Sequence, residues 1–106
     1  MPAYMIFIRE SEVRDEDALA RYRETSRSGG GQSAHLIKPL VVYGETETVE
    51  GEPADGFVVM EFPDREAARA WYNSPEYQKA VPHRMQAADY RAFIVDGWTP
   101  PGQGGV

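Results

Sequence analysis

Three short runs of the chain, Tyr4–Arg9, Phe57–Phe62 and Tyr90–Val95, carry apolar residues at both odd and even positions. A strand with one wet face shows a polar residue at every second position, so these three expect cover on both sides. In the first run Met5 and Phe7 share one face, and Tyr4, Ile6 and Ile8 share the other. A further β segment, Leu36–Val49, contains Pro39. Proline has no ladder donor, which predicts an edge strand or one that starts afresh at Leu40. Beyond it Glu45, Glu47 and Glu50 extend a polar ribbon into the turn Gly51–Gly56, and a hairpin joins this segment to the next strand.

Two stretches have helical spacing. Asp15–Thr25 has acids leading and bases following, which complements a helix dipole, and Ala18, Leu19 and Tyr22 form a narrow apolar stripe. This helix is expected to fray by Ser28, before Gly29-Gly30-Gly31. In Phe62–Tyr77, Asp64 can cap a helix whose docking face is Ala67, Ala70 and Trp71, with Ala68 and Tyr72 flanking it. Ser74-Pro75-Glu76 then caps a second piece, with Tyr77 and Val81 inward. Pro82 is expected to interrupt that piece, leaving His83–Ala88 as another turn.

The order is therefore β-α-β-β-α-β. It predicts an α+β, ferredoxin-like fold with a four-stranded antiparallel sheet and helices on one face. The other sheet face remains apolar, and a patch of that size seldom stays exposed. A second copy packed sheet to sheet would cover it, so a homodimer is expected. Residues 1–97 read as a single domain, and 98–106 as a Pro/Gly-rich tail, mobile except where Trp98 anchors it.

Composition narrows the function. A formal charge of -6 with no basic stripe argues against nucleic-acid binding. The N-terminal run meets a charge after eight residues, too soon for a signal peptide or a membrane span. With no cysteine there is no disulfide or thiolate chemistry, which suits a cytoplasmic location. The glycine triplet follows a helix and precedes a strand, the reverse of a phosphate-cradling loop.

His35 and His83 are the candidate catalytic acid–base groups, because imidazole titrates nearest neutrality. No metal is expected, since neither a His-x-x-x-His nor an acidic triad at ligand spacing occurs. Arg84 is the candidate anion grip, its alternative being an ion pair with Glu76 or Glu61. Tyr22 and Tyr43 are the aromatic residues expected in a pocket between helices and sheet. Arg9, Glu61 and Arg91 are strand charges that must reach a pocket, an interface or the rim.

The run Glu61-Phe62, Glu66-Ala67-Ala68, Ala70-Trp71-Tyr72-Asn73-Ser74-Pro75-Glu76-Tyr77-Gln78, then Arg84 and Asp96-Gly97, is similar to the domain of unknown function 1330 family. The likeness is specific over the C-terminal half and looser over the first strand and helix. Where relatives carry Gly-Gly-Arg/Lys-aromatic-Leu, this chain has Gly30-Gly31-Gln32-Ser33-Ala34-His35-Leu36. The resemblance implies a dimeric α+β barrel, with no cofactor required. Members of the wider superfamily suggest a small-molecule pocket, with cofactor-independent acid–base or oxidation chemistry on an organic acid or aromatic metabolite. The alternatives are a ligand-binding regulatory module and a purely structural dimer.

Overall fold

The computed structural model describes residues 1–28 and 37–98. In chain order the elements are β1 (Ala3–Arg9), α1 (Glu16–Ser28), β2 (Lys38–Val42), β3 (Gly56–Phe62), α2 (Arg65–Tyr72), α3 (Pro75–Ala87) and β4 (Tyr90–Asp96). The strands form one antiparallel sheet in the order β2-β3-β1-β4. This is the expected α+β, ferredoxin-like arrangement. No helix among the described residues is long and apolar enough to cross a membrane.

The register divides the sheet into two faces. Met5 lies between Met60 and Ile94, and Phe7 between Val58 and Ala92, all on the face toward the helices. Ile6 lies between Val59 and Phe93, and Ile8 between Phe57 and Arg91, on the other face. Because the side-chain period of a strand is two, the inward parity of Ala3, Met5 and Phe7 also turns Arg9 inward. The charge at the end of β1 therefore sits on the core side.

Trp71 organises the core. Its ring centroid is 4.1 Å from that of Tyr77, 5.8 Å from Phe62 and 6.4 Å from Phe7. Burying an aromatic of this size stabilises a fold by about 3–5 kcal/mol, judged by truncation to alanine. Ala68 joins Trp71 on the buried face of α2, whereas Ala70 is exposed. The sequence expectation that placed Ala70 inward is corrected by one helical step. Both predicted caps form: Ala67 N donates to Asp64 Oδ1 at 2.8 Å, and Tyr77 N to Ser74 Oγ at 3.2 Å.

α1 starts on Asp15, whose carboxylate accepts from Ala18 N at 2.9 Å and is thereby held below the usual aspartate range. Arg14 reaches back to the C-terminal end of α3, donating to Met85 O at 2.6 Å and pairing with Asp89 at 3.0 Å. Orphan carbonyls at a helix end are satisfied in this way by a basic side chain.

Two further expectations are corrected. Pro82 does not interrupt α3, which runs unbroken from Pro75 to Ala87. Proline removes one intrahelical bond, but the buried face Tyr77, Ala80, Val81, Arg84 and Ala87 spans it, and packing outweighs the loss. The second strand is also shorter than the expected Leu36–Val49. It is Lys38–Val42, at the sheet edge with a register shift between Pro39 and Val41, and residues 43–55 form no strand. Leu36 itself, the glycine triplet and the tail from residue 99 lie outside the described residues. Trp98 is 78% exposed, so within this chain it does not serve as the anchor expected of it.

Candidate functional site

The inward side chains at one end of the sheet are polar. Arg84 projects from α3 into the core and retains only 4% of its exposure. Its guanidinium carbon lies 5.2 Å from the centroids of both Phe7 and Tyr90, a cation held between two rings. The Arg84 Nε is buried and has no hydrogen-bond partner among the described residues.

All 17 acidic side chains of the sequence lie among the described residues, and none forms an ion pair with Arg84. Glu61, one of its two alternative partners, lies on the opposite sheet face, where it accepts a hydrogen bond from the Tyr4 hydroxyl at 3.1 Å. Glu76, the other, is exposed in the first turn of α3.

Two pairs of tyrosines adjoin this cation, with Tyr22, Tyr77 and Tyr90 next to Arg84 and Tyr43 joined to it through Tyr90. The hydroxyls of Tyr22 and Tyr77 are 2.8 Å apart, and those of Tyr43 and Tyr90 are 2.7 Å apart. Burial pushes the phenols of Tyr22, Tyr43 and Tyr77 up, with Arg84 opposing that rise at Tyr22 and Tyr77. Arg9 and Arg23 oppose it at Tyr43. Neutral phenols are donors as well as acceptors, and in each pair one hydroxyl hydrogen is not used by its partner. A guanidinium beside such hydrogens makes a set suited to holding negative charge.

Tyr43 is held in an unusual way. Its φ is 52°, a left-handed conformation that a bulky residue rarely adopts. Its ring packs over Gly56, where an added Cβ would stand 2.6 Å from Tyr43 Cδ1. Arg9 lies over the same ring at 5.0 Å, donates from Nη2 to Asp55 O at 3.2 Å, and leaves its own buried Nε without a partner among the described residues.

Of the site residues named from sequence, Arg84, Tyr22 and Tyr43 gather in this cluster. His83 does not join it: one step along α3 from Arg84, it is partly exposed and makes no hydrogen bond or ion pair among the described residues. His35 lies outside the described residues. Tyr77, Tyr90 and Arg9 belong to the cluster but were not named as binding residues. The parity of β1 was the available signal for Arg9, and that of β4, where Tyr90 shares a face with Ala92 and Ile94, was the signal for Tyr90. A separate groove wraps the free edge of β4, lined by Met5, Tyr72, Ala92, Phe93 and Ile94. The arginines do not line it. No three His, Cys, Asp or Glu among the described residues could share a metal ion.

Comparison with known proteins places this arrangement. A protein of unknown function from Rhodopseudomonas palustris is 24% identical, covering 93% of this chain and 84% of its own at a TM-score of 0.68. A dimeric ferredoxin-like protein of unknown function from Jannaschia sp. CCS1 is 15% identical, covering 92% and 100% at a TM-score of 0.65. SnoaB, a cofactor-independent oxygenase from Streptomyces nogalater, is 8% identical, covering 96% and 97% at a TM-score of 0.58. At these identities the likeness is one of fold. No curated protein matches the chain. The chain belongs to the family described as Domain of unknown function (DUF1330), whose pattern matches residues 2–98 and so extends over the first strand and helix as well.

Proposed function

We propose that this protein is a homodimeric small-molecule-binding protein, and that its ligand carries an acidic group held by Arg84 between the helices and the sheet. One observation carries the reading. A guanidinium is almost wholly buried while every acidic side chain of the chain is placed elsewhere. An unpaired buried charge is costly, by several kcal/mol in general, and persists where something outside the fold supplies its counter-charge. The free hydroxyl hydrogens of the Tyr22–Tyr77 and Tyr43–Tyr90 pairs are the further donors.

The donor set stabilises an anion and includes no base, so binding is favoured over proton abstraction. Turnover would add a base to this donor set, with His83 and His35 the candidates. The absence of cysteine supports a cytoplasmic setting.

The dimer rests on the outer sheet face. Ile6, Ile8, Phe57, Val59, Phe93 and Val95 make its apolar centre. Arg91–Glu10 at 2.8 Å and Tyr4–Glu61 at 3.1 Å form a polar rim. An apolar centre with a polar rim is the anatomy of an interface. Structural neighbours with this fold are described as dimeric.

Isothermal titration of the full chain with small carboxylates tests the site, with Arg84→Gln as control. Binding that the variant loses supports it, and absence of carboxylate binding refutes it. Product analysis of the same mixtures separates turnover from binding alone.

A further inference from the structure

We propose that the ligand is a compact dicarboxylate, one acidic group gripped by Arg84 and the other by Arg9, with the Tyr43–Tyr90 hydroxyl pair between them. The proposal rests on the anion site proposed above and specifies its ligand class.

The two cations stand on one line of contacts. Arg84 lies over the Tyr90 ring at 5.2 Å, the Tyr90 and Tyr43 hydroxyls are 2.7 Å apart, and Arg9 lies over the Tyr43 ring at 5.0 Å. In the sheet Arg9 and Tyr90 are directly opposite one another, so both guanidiniums stand over adjacent rings on one face. Each has a buried Nε without a partner, and neither pairs with a carboxylate among the described residues. Arg9 satisfies one nitrogen with the backbone carbonyl of Asp55, which carries no net charge. A monoanion answers one of these two cations and leaves the other uncompensated.

The Arg9 end is built for a purpose beyond packing. Tyr43 sits at a φ of 52° and is seated on Gly56, where any Cβ would collide with it at 2.6 Å. Strain of this kind persists where the surroundings over-determine it, and it collects at ligand clamps. The hydroxyl pair keeps one hydrogen that can be donated to the carboxylate of either end. An arginine offers a planar fork that matches a carboxylate in bidentate fashion, so two arginines call for two carboxylates.

The test is isothermal titration of the full chain with succinate and glutarate against butyrate. The dicarboxylates are expected to bind about tenfold tighter or more, the scale of one added charge-assisted contact. Arg9→Gln should abolish that advantage, bringing succinate and glutarate down to the affinity the same variant has for butyrate, while Arg9→Lys keeps part of it. Equal affinity for succinate, glutarate and butyrate in the wild type overturns the proposal without recourse to a variant. So does an Arg9→Gln protein that folds and keeps the advantage. If none of the three binds, or Arg84→Gln binds them as the wild type does, the anion site itself fails and this proposal with it.

Discussion

The Arg84 guanidinium lies over the ring of Tyr90, 5.2 Å from its centroid, with no carboxylate among the described residues paired to it. Two opposing terms act on its stability. Contact with the Tyr90 and Phe7 rings contributes about 1–2 kcal/mol each when desolvated, whereas stripping water from the charge costs several. The second is the larger. Arg84→Met, similar in length and uncharged, should therefore leave the unfolding free energy equal to or above the wild-type value while carboxylate binding disappears. Urea denaturation measures it. A loss of more than about 2 kcal/mol would make the cation–ring contacts structural in purpose.

Gly56 tests how tightly Tyr43 is held. In Gly56→Ala the new methyl meets the Tyr43 ring at 2.6 Å, and the ring must leave. Overpacking of this kind costs about 1–3 kcal/mol. Thermal unfolding should show the loss, and carboxylate affinity should fall with it. Unchanged stability would mean that the ring moves freely.

The phenols make a prediction at alkaline pH. Tyr22, Tyr43 and Tyr77 are raised above the ordinary tyrosine value chiefly by burial. The unfolded chain releases these protons near pH 10, before the folded protein does. The stability they contribute is thus fully present below about pH 10 and is lost as pH rises toward the folded values. Tyrosinate absorbance followed with pH should show Tyr22, Tyr43 and Tyr77 ionising late, together with unfolding. Ionisation of Tyr22, Tyr43 and Tyr77 near pH 10 with the fold intact would contradict the burial of the cluster.

Phe93 probes the outer sheet face, where it is 45% exposed beside Ile6. Phe93→Glu puts a charge in the apolar centre of the proposed interface, where the neighbouring Arg91, 5.4 Å from the Phe93 ring centroid, is already paired with Glu10. Light scattering at micromolar concentration should show a monomer for the variant and a dimer for the wild type. A wild-type monomer would remove the dimer from the reading.

Pro82 is exposed inside α3 and has no amide hydrogen to donate. Pro82→Ala restores the donor, worth up to about 3 kcal/mol, less the entropy that proline removes from the unfolded chain. A rise of several degrees in unfolding temperature is expected, on the scale of about 4–8 °C per kcal/mol for a domain of this size.

How much of this was legible in the residues depends on range. Asp64 and Ser74-Pro75 announced two helix starts because capping is a contact over three residues, and both form as expected. The two-faced strands announced the layers because parity is local as well. Pro82 and Ala70 misled for the opposite reason. Whether α3 runs through its proline, and which side of α2 docks, is decided by Trp71, Tyr77 and the sheet together. The cluster was half visible. Arg84, Tyr22 and Tyr43 stand out as residue types, but Tyr90 lies opposite Arg9 only through pairing between strands 81 positions apart. No spacing rule in the sequence reaches that far.

The register of the sheet also sets the order of assembly. β1 is central, flanked by β3 and β4, and Ala3 lies opposite Asp96. Its second neighbour is therefore the last strand to be made. At roughly 5–20 residues per second, the N-terminal strand waits several seconds on the ribosome with one edge unpaired before β4 arrives. Contacts so distant in sequence close late and slowly. The Arg9–Tyr90 neighbours at the heart of the site are among them, so the site is completed only when the chain has been synthesised through β4.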